Sequence, residues 1–498
     1  MRGIAAIAAG FVLLSGLGSP AMAKGRKVAS INITPEMMAE TTPDFSREGF
    51  EKVFGKFSLK RHVAQGAKYD EGDLSPAFKK FRDEALNVKN AEELEAFLAK
   101  YDASYDQLTP DVQFIVAQLQ LMTPLRGLAY RLRPIFEHNR SVQSGAVTML
   151  KSTASLMKIY LPTPQWEAAW EYVTLPSVSK TEMNTQFQTM TEFQNYLISQ
   201  FRVYNKSLVR VSNLLKTYQG KPFVYDNKIL YGPGTFRDDM DRYRVNDLPE
   251  IAATLSGLYG TLASIQMFCA YDHDDLLSVT RDMGRLAGVD GFLPGNLGVS
   301  AKDRSAILKK PKYAKFLTLR PNYGAKLMGA ALVNMQASTY LATNAWEQLK
   351  DRPANFFAVM DPAMFTPNSR AINLHFKSLN DMVQSKTTIR SPITDEVVTT
   401  DVPKFFQNPP QDLKVFLPIG FDTSPEMKTL TTKTGEQLQY RNYFRGRPTA
   451  WNNAAWAPYF PSAQDNMNDP DYVAKILNVM QQSWGANYVV PTLDWIAR

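Results

Sequence analysis

The stretch from Ser179 to Tyr218 constrains the fold more than any other. Met183, Phe187 and Met190, then Leu197, Phe201, Tyr204, Leu208, Val211, Leu215 and Tyr218, recur in steps of three and four. One seam position between them is polar, Gln194, with Phe193 beside it. A seam held for about five heptads predicts a long central helix over about 180–218, roughly 55 Å at 1.5 Å per residue. A single polar seam residue is compatible with a two-chain coiled coil. The knobs, however, mix aromatic rings with Met, and the flanks are rich in Gln, Asn, Ser and Thr. The preferred expectation is the spine of an intramolecular bundle, with dimerisation left open.

Helix-start signals recur around it. Ser75-Pro76, Thr109-Pro110, Thr163-Pro164, Thr366-Pro367 and Asp469-Pro470 each place a capping side chain before a proline at the first helical position, where its missing N–H costs nothing. Asn90-x-x-Glu93 and Ser179-x-x-Glu182 have the form of capping boxes or close variants. Ile251 to Ala270 carries no charge. It contains Thr254, Ser256, Tyr259, Thr261, Ser264 and Gln266, which favours a buried core helix over a membrane span. Gly324 to Leu349 is a second such helix, dense in small residues that let helices approach closely.

Three stretches read as long loops: Gln219–Asp247, Gly288–Pro321 and Lys350–Phe365. After about residue 386 the texture changes. Thr387–Arg390 and Glu396–Thr400 read as short strands, and Lys428–Phe444 as a hairpin around Gly435. The expected fold is mainly α: a multi-helix bundle or array with a long central helix and a small C-terminal α+β lobe. The expected organisation is a signal peptide at 1–23, an N-terminal helical region at 24–175, a central bundle at 176–385 and the lobe at 386–498.

Residues 1–23 have the layout of a secretory signal. Arg2 supplies the positive start, Ile4–Leu17 the apolar stretch, and Ala21-Met22-Ala23 the small-residue cleavage pattern. The apolar part, about 14 residues, falls short of the roughly 20 that span a bilayer. The expected location is periplasmic or secreted, the mature chain starting at Lys24 with no transmembrane span. Cys269 is the only cysteine, so export brings no intramolecular disulfide and cysteine-based zinc sites are excluded. It lies in an apolar stretch and reads as a small buried hydrophobe. The formal net charge is +8, without a block of five like charges. The charge favours weak attraction to anionic envelope polymers or lipid headgroups, not nucleic acid, and the expected partner is an envelope polymer or a protein.

Chemistry-bearing patterns are sparse. No paired-His metal spacing, G-x-S-x-G elbow, G-x-x-x-x-G-K loop or G-x-G-x-x-G fingerprint is present. No cofactor is expected. Asp272, His273 and Asp274 form the nearest thing to a metal cluster, but they sit where one helix ends and another begins, where aspartates cap. Asp465, Asn466, Asn468, Asp469 and Asp471 have calcium-ligand chemistry without the full twelve-residue calcium loop.

Three motifs occur in a suggestive order: Ser155-x-x-Lys158, Tyr225-x-Asn227 and Lys433-Thr-Gly435. In this they resemble the penicillin-recognising serine hydrolases, the D,D-peptidases and serine β-lactamases. The resemblance implies Ser155 as nucleophile, Lys158 one helical turn on as its activator, and Asn227 and Lys433 across the cleft, acting on peptidoglycan peptides. Against it stand a second S-x-x-K at Ser177–Lys180, a Leu161-Pro162 that ends the helix about two turns after Ser155, and Glu436 after the glycine. The leading expectation is therefore non-catalytic: an exported envelope binding or scaffolding protein. Its glycan-facing element would be the aromatic segment Tyr440–Phe460, where Tyr440, Tyr443, Trp451, Trp456 and Tyr459 interleave with Arg445 and Asn452.

Overall fold

A computed structural model describes residues 31–40, 45–56, 69–137, 164–179, 184–231, 242–286, 299–349, 369–391, 393–425, 427–431, 434–441, 445–466, 468–469, 472–482 and 497. The architecture is mainly α, with a small strand region near the C-terminus. The chain forms two compact units, Met1–Cys269 with Ala330–Lys377, and Ala270–Gly329 with Ser378–Arg498. The second unit thus includes a segment that the sequence places in a central bundle at 176–385. The physical reason is a set of backbone bonds between residues far apart in sequence. Asp272 N–H donates to Thr318 O, Leu319 N–H to Gln411 O and Leu413 N–H to Leu317 O, at 2.8–3.1 Å.

In the first unit the seam holds from Met190 onward. Met190, Leu197, Phe201, Tyr204, Leu208, Val211, Leu215 and Tyr218 are all buried. The helix is not continuous over 180–218, which corrects the expected single long spine. It forms as Met190–Ser199 and Phe201–Lys216, interrupted at Gln200. Thr189 caps the first piece by accepting from Glu192 N–H. Phe187 lies before that cap, its N–H donated to Arg131 O at 2.8 Å. Met183 lies outside the described residues.

Gln194, the polar break in the seam, is fully buried and donates its side-chain N–H to Phe268 O at 2.6 Å. The seam therefore faces another helix of the same chain, which favours a bundle spine. That neighbour is the long helix Leu248–Ala270. By length and composition it passes the test for a membrane span, with mean hydropathy 1.2, yet half of its most apolar window is buried within the protein. The second long helix runs Gly324–Leu349, as the small-residue pattern predicts. The two approach closely: Ser256 and Ser338 hydroxyls each donate to the other residue's carbonyl at 2.8 Å. A Cβ at Gly260 would stand 3.0 Å from the Ser338 hydroxyl. Asn334 bonds Gln266 across the same helix pair at 2.8 Å.

The capping rules work where they can be read. Ser75 accepts from Phe78 N–H at 3.0 Å and Asn90 from Glu93 N–H at 2.9 Å. Thr109 precedes its proline-started helix without a side-chain cap. Ser179 starts no helix within the described residues; its hydroxyl donates to Glu95 at 3.2 Å.

The strands pair in twos, all antiparallel among the described residues. In the first unit β1 (Phe223–Asp226) pairs with β2 (Tyr243–Asn246), inside the stretch 219–247 read as a loop. In the second unit β3 (Thr387–Arg390) pairs with β4 (Val397–Thr400), and β5 (Gly420–Phe421) with β8 (Pro448–Ala450). Between the last two, β6 (Met427–Thr431) pairs with β7 (Gln437–Arg441). Gly435 sits in the turn at φ +84°, a conformation glycine adopts without strain. The stretch 288–321, also read as a loop, holds a helix at Ala301–Leu308 capped by Ser300. The third expected loop, Lys350–Phe365, lies outside the described residues.

Candidate functional site

The sequence-derived site residues are not brought together. Ser155, Lys158 and Lys433 lie outside the described residues, as does Tyr443. Asn227 follows β1 in the first unit, 6% exposed, its N–H donated to Arg242 O at 2.7 Å. Thr434 and Gly435 belong to the second unit and form the exposed turn of the β6–β7 hairpin. The K-T-G glycine thus terminates a hairpin; it is not part of a strand. Ser177, the start of the second S-x-x-K, is buried and donates its hydroxyl to Glu95 at 3.1 Å.

The aromatic segment is corrected in its main members. Trp456 is fully buried, Phe460 is 3% exposed, Trp451 5% and Tyr459 9%. Trp456 packs edge-on against Phe416 at 4.9 Å between centroids, and Tyr459 edge-on against Phe405 at 5.2 Å. Trp451 donates its indole N–H to Ala497 O at 3.1 Å. A ring without an exposed face cannot stack on a sugar, so these rings are the core of the second unit. Arg445 and Asn452 remain exposed; the side chain of Tyr440 lies outside what is described.

The acidic clusters behave as caps and supports. Asp272 accepts from Asp274 N–H at 3.0 Å. His273 is buried edge-on to Phe316, its Nδ1 2.8 Å from Tyr271 O, and burial pushes its pKa down to about 4. Among the described residues no three His, Cys, Asp or Glu side chains gather as a metal-binding group. Near the expected calcium cluster, the backbone oxygens of Asn466 and Asp469 accept from the Asn453 amide at 2.9 and 2.8 Å. Cys269 is buried, its thiol 3.5 Å from Gln194 O.

Two interior charge clusters hold the first unit together without opening to a ligand. Asp226, fully buried, accepts from Arg82 at 3.2 Å and from Arg242 at 2.9 and 3.0 Å. Arg82 also bonds Glu71, which with Tyr243 holds the Glu71 carboxyl at about 2. Arg126, 1% exposed, bonds Glu95 at 3.0 Å, Glu92 at 3.1 Å and the carbonyl of Leu175 at 2.8 Å. The buried members of each cluster are paired, as buried charges must be, with Glu71 and Glu92 half-exposed at the edges.

A cleft in the first unit is different. Its volume is about 630 Å³, and it runs along the helix Phe201–Lys216. From that helix Arg202, Asn205, Lys206, Val209, Arg210 and Asn213 line it. They recur at three- and four-residue spacing, one face of a helix. The facing wall comes from Tyr105, Asp106 and Gln113, and Glu40, Leu214 and Thr217 complete the lining. From Arg202 to Thr217 the cleft floor extends about 22 Å at 1.5 Å per residue.

Tyr105 anchors the wall. Its backbone carbonyl accepts from the Gln113 amide at 3.0 Å, and the Arg210 guanidinium lies over its ring at 3.8 Å. Asp102 accepts from Arg210 at 2.6 Å and from Lys206 at 2.9 Å. Burial opposes ionisation of Asp102, but these two cations hold its carboxyl below the ordinary value. The Tyr105 hydroxyl and the Asn205 side-chain oxygen lie beneath the cleft surface, buried and without a hydrogen-bond partner among the described residues. Burial pushes the Tyr105 pKa up, so the hydroxyl keeps its proton at neutral pH. Arg202 is exposed and has no ion pair among the described residues.

The sequence carried a signal for this site that composition obscures. Arg202, Lys206 and Arg210 form a basic stripe on the polar side of the very helix whose seam is read above. Such a stripe is by default a solvated face. Only the packing of Tyr105 and Gln113 against it makes a cleft. No protein-family model, curated protein or solved structure matches the chain.

Proposed function

We propose that this protein is an exported cell-envelope binding protein of non-catalytic kind, which holds a polar ligand in the cleft beside Phe201–Lys216. The observation that carries the reading is the cleft itself, about 630 Å³, lined along one helix face by Arg202, Lys206, Arg210 and Asn213. The cleft has the volume of a small-molecule site, and its polar and basic lining suits a polar ligand. Export is supported by the three-part layout of Met1–Ala23, and attraction to envelope polymers by the net charge of +8.

The test has two parts. N-terminal sequencing of the protein recovered from fractionated cells should read Lys24 as the first residue, and an intact Met1 would overturn export. The purified mature chain should be retained on an isolated envelope fraction, with Arg202→Gln and Asn213→Ala, both exposed on the cleft face, each lowering retention several-fold. Retention unchanged in both variants would move binding away from the cleft. No retention by the wild type would end the reading.

A further inference from the structure

We propose that the β6–β7 hairpin of the second unit is a docking arm for the surface of an anionic lipid bilayer. The cleft belongs to the first unit, so this arm is a second surface whose role does not depend on the cleft.

Every side chain described on β6 and β7 is exposed, on both faces of the ribbon. A two-stranded ribbon is at best marginal in water until an apolar face is covered. Three of these side chains are large and apolar: Leu430 is 55% exposed, Met427 50% and Leu438 45%. Val415 and Ile419, 45% and 62% exposed, precede them in the chain. Ile419 lies at the base of the arm, its N–H donated to Ala450 O at 2.8 Å. Apolar side chains gathered in this way mark an interaction surface, where single ones do not.

Register and charge say what covers them. Leu430 lies opposite Leu438, so the two share a face. Met427 stands three residues before Leu430 and so belongs to the other face. A flat protein surface covers one face of a ribbon and leaves the other in water. The headgroup region of a bilayer surrounds an inserted ribbon and covers both. Between 427 and 441 the sequence holds Lys428, Lys433 and Arg441 against Glu436, a net charge of +2. Just outside the ribbon, Arg445 and Arg447 match Asp422 and Glu426 in number, so the excess lies on the arm itself. Anionic headgroups attract such a segment by about 1 kcal/mol per cation near the surface. A soluble polyanion would answer the cations and leave the leucines in water.

The test is co-sedimentation of the full mature chain with two kinds of vesicle: equal parts phosphatidylglycerol and phosphatidylcholine, and phosphatidylcholine alone. The mixed vesicles should bind about tenfold tighter. Leu430→Gln with Leu438→Gln should weaken that binding about tenfold, through apolar area no longer buried. Lys428→Gln with Arg441→Gln should remove the preference for anionic lipid. Circular dichroism on each variant separates a lost contact from a lost fold. A second readout leaves the arm otherwise intact. Cys269 is buried, so an environment-sensitive fluorophore goes to the thiol of Leu430→Cys. Its emission should shift to the blue on mixed vesicles. The same label on Val178→Cys, an exposed site in the first unit, should not shift. Equal binding to both kinds of vesicle would overturn the anionic surface. Binding that the leucine pair leaves unchanged, without a blue shift at position 430, would overturn the arm. A wild-type chain that ignores vesicles but binds dextran sulfate would make this a polyanion site and overturn the lipid. A dimer that ignores vesicles and is dissolved by the leucine pair would assign the arm to a second copy and overturn the proposal.

Discussion

The two units bury different chemistry. The first encloses Arg82, Glu95, Arg126, Arg131, Asp226, Asp247 and Glu250. In the second, no Asp or Glu among the described residues is buried; its interior is ringed by Phe405, Phe416, Trp456, Tyr459 and Phe460. Interior charges need named partners, so they fix which distant segments meet: Arg126 ties Glu92 and Glu95 to the carbonyls of Tyr172 and Leu175. Aromatic rings need only area and tolerable angles. The lesson is about where to look for a site. An aromatic-rich sequence marked the core of the second unit, while the cleft lies in the unit that buries paired charges.

The comparison can be broken at its strongest point first. Arg126→Ala leaves Glu95 buried without its cation and should lower the stability of the protein by about 4 kcal/mol. Arg126→Met with Glu95→Gln should recover most of that loss. Urea unfolding at pH 7 reads both, and a single variant within 1 kcal/mol of wild type on the order-of-magnitude scale of surface changes would show that the charge cluster is not structural.

Trp456→Ala tests the aromatic side. Emptying a fully buried indole should cost about 3 to 4 kcal/mol. Its N–H has no partner among the described residues, so Trp456→Phe should cost less than half as much. Equal losses would mean that the N–H matters more than the ring.

The units should also differ in acid. His273 in the second unit has its pKa lowered from 6.5 to about 4 by burial, so the folded state holds the ring neutral. Its contribution is complete above pH 6.5 and is lost as pH falls towards 4, about 3 kcal/mol by linkage. Glu71 in the first unit, held at about 2 by Arg82 and Tyr243, keeps its charge throughout that window. Stability measured from pH 7 to 4 should therefore fall in wild type and flatten in His273→Gln. A slope unchanged by that variant would assign the acid sensitivity elsewhere.

Gly435→Ala should have a small effect, about 1 kcal/mol, because the left-handed backbone there penalises a Cβ although the space around it is open. The smallest expected effect is none. A fluorescent β-lactam should fail to label the protein under conditions that label a transpeptidase. Labelling lost in Ser155→Ala would restore the hydrolase resemblance and displace the binding reading.

The helices were legible wherever a local rule suffices. Ser75 and Asn90 cap as written, and Met190 to Tyr218 bury their apolar side, because caps and 3.6-residue periodicity act within a few residues. The hairpin around Gly435 and the strands at 387–390 and 397–400 follow from β-branched runs and turn chemistry in the same way. The break at Gln200 was not legible, and neither was the non-helical Phe187, since its N–H goes to Arg131, more than fifty residues away.

Of the site, the sequence by itself determined the face: Arg202, Lys206, Val209, Arg210 and Asn213 share one side of a helix by spacing alone. Tertiary structure decided that the face is a wall. Tyr105 must be brought against Arg210 before the face has an opposite side and a cleft exists. The same holds for Trp456, whose composition reads equally as platform or core until Phe416 closes over it. Periodicity is set by neighbours along the chain, and burial by whatever packs from elsewhere, which one strand of sequence does not encode locally.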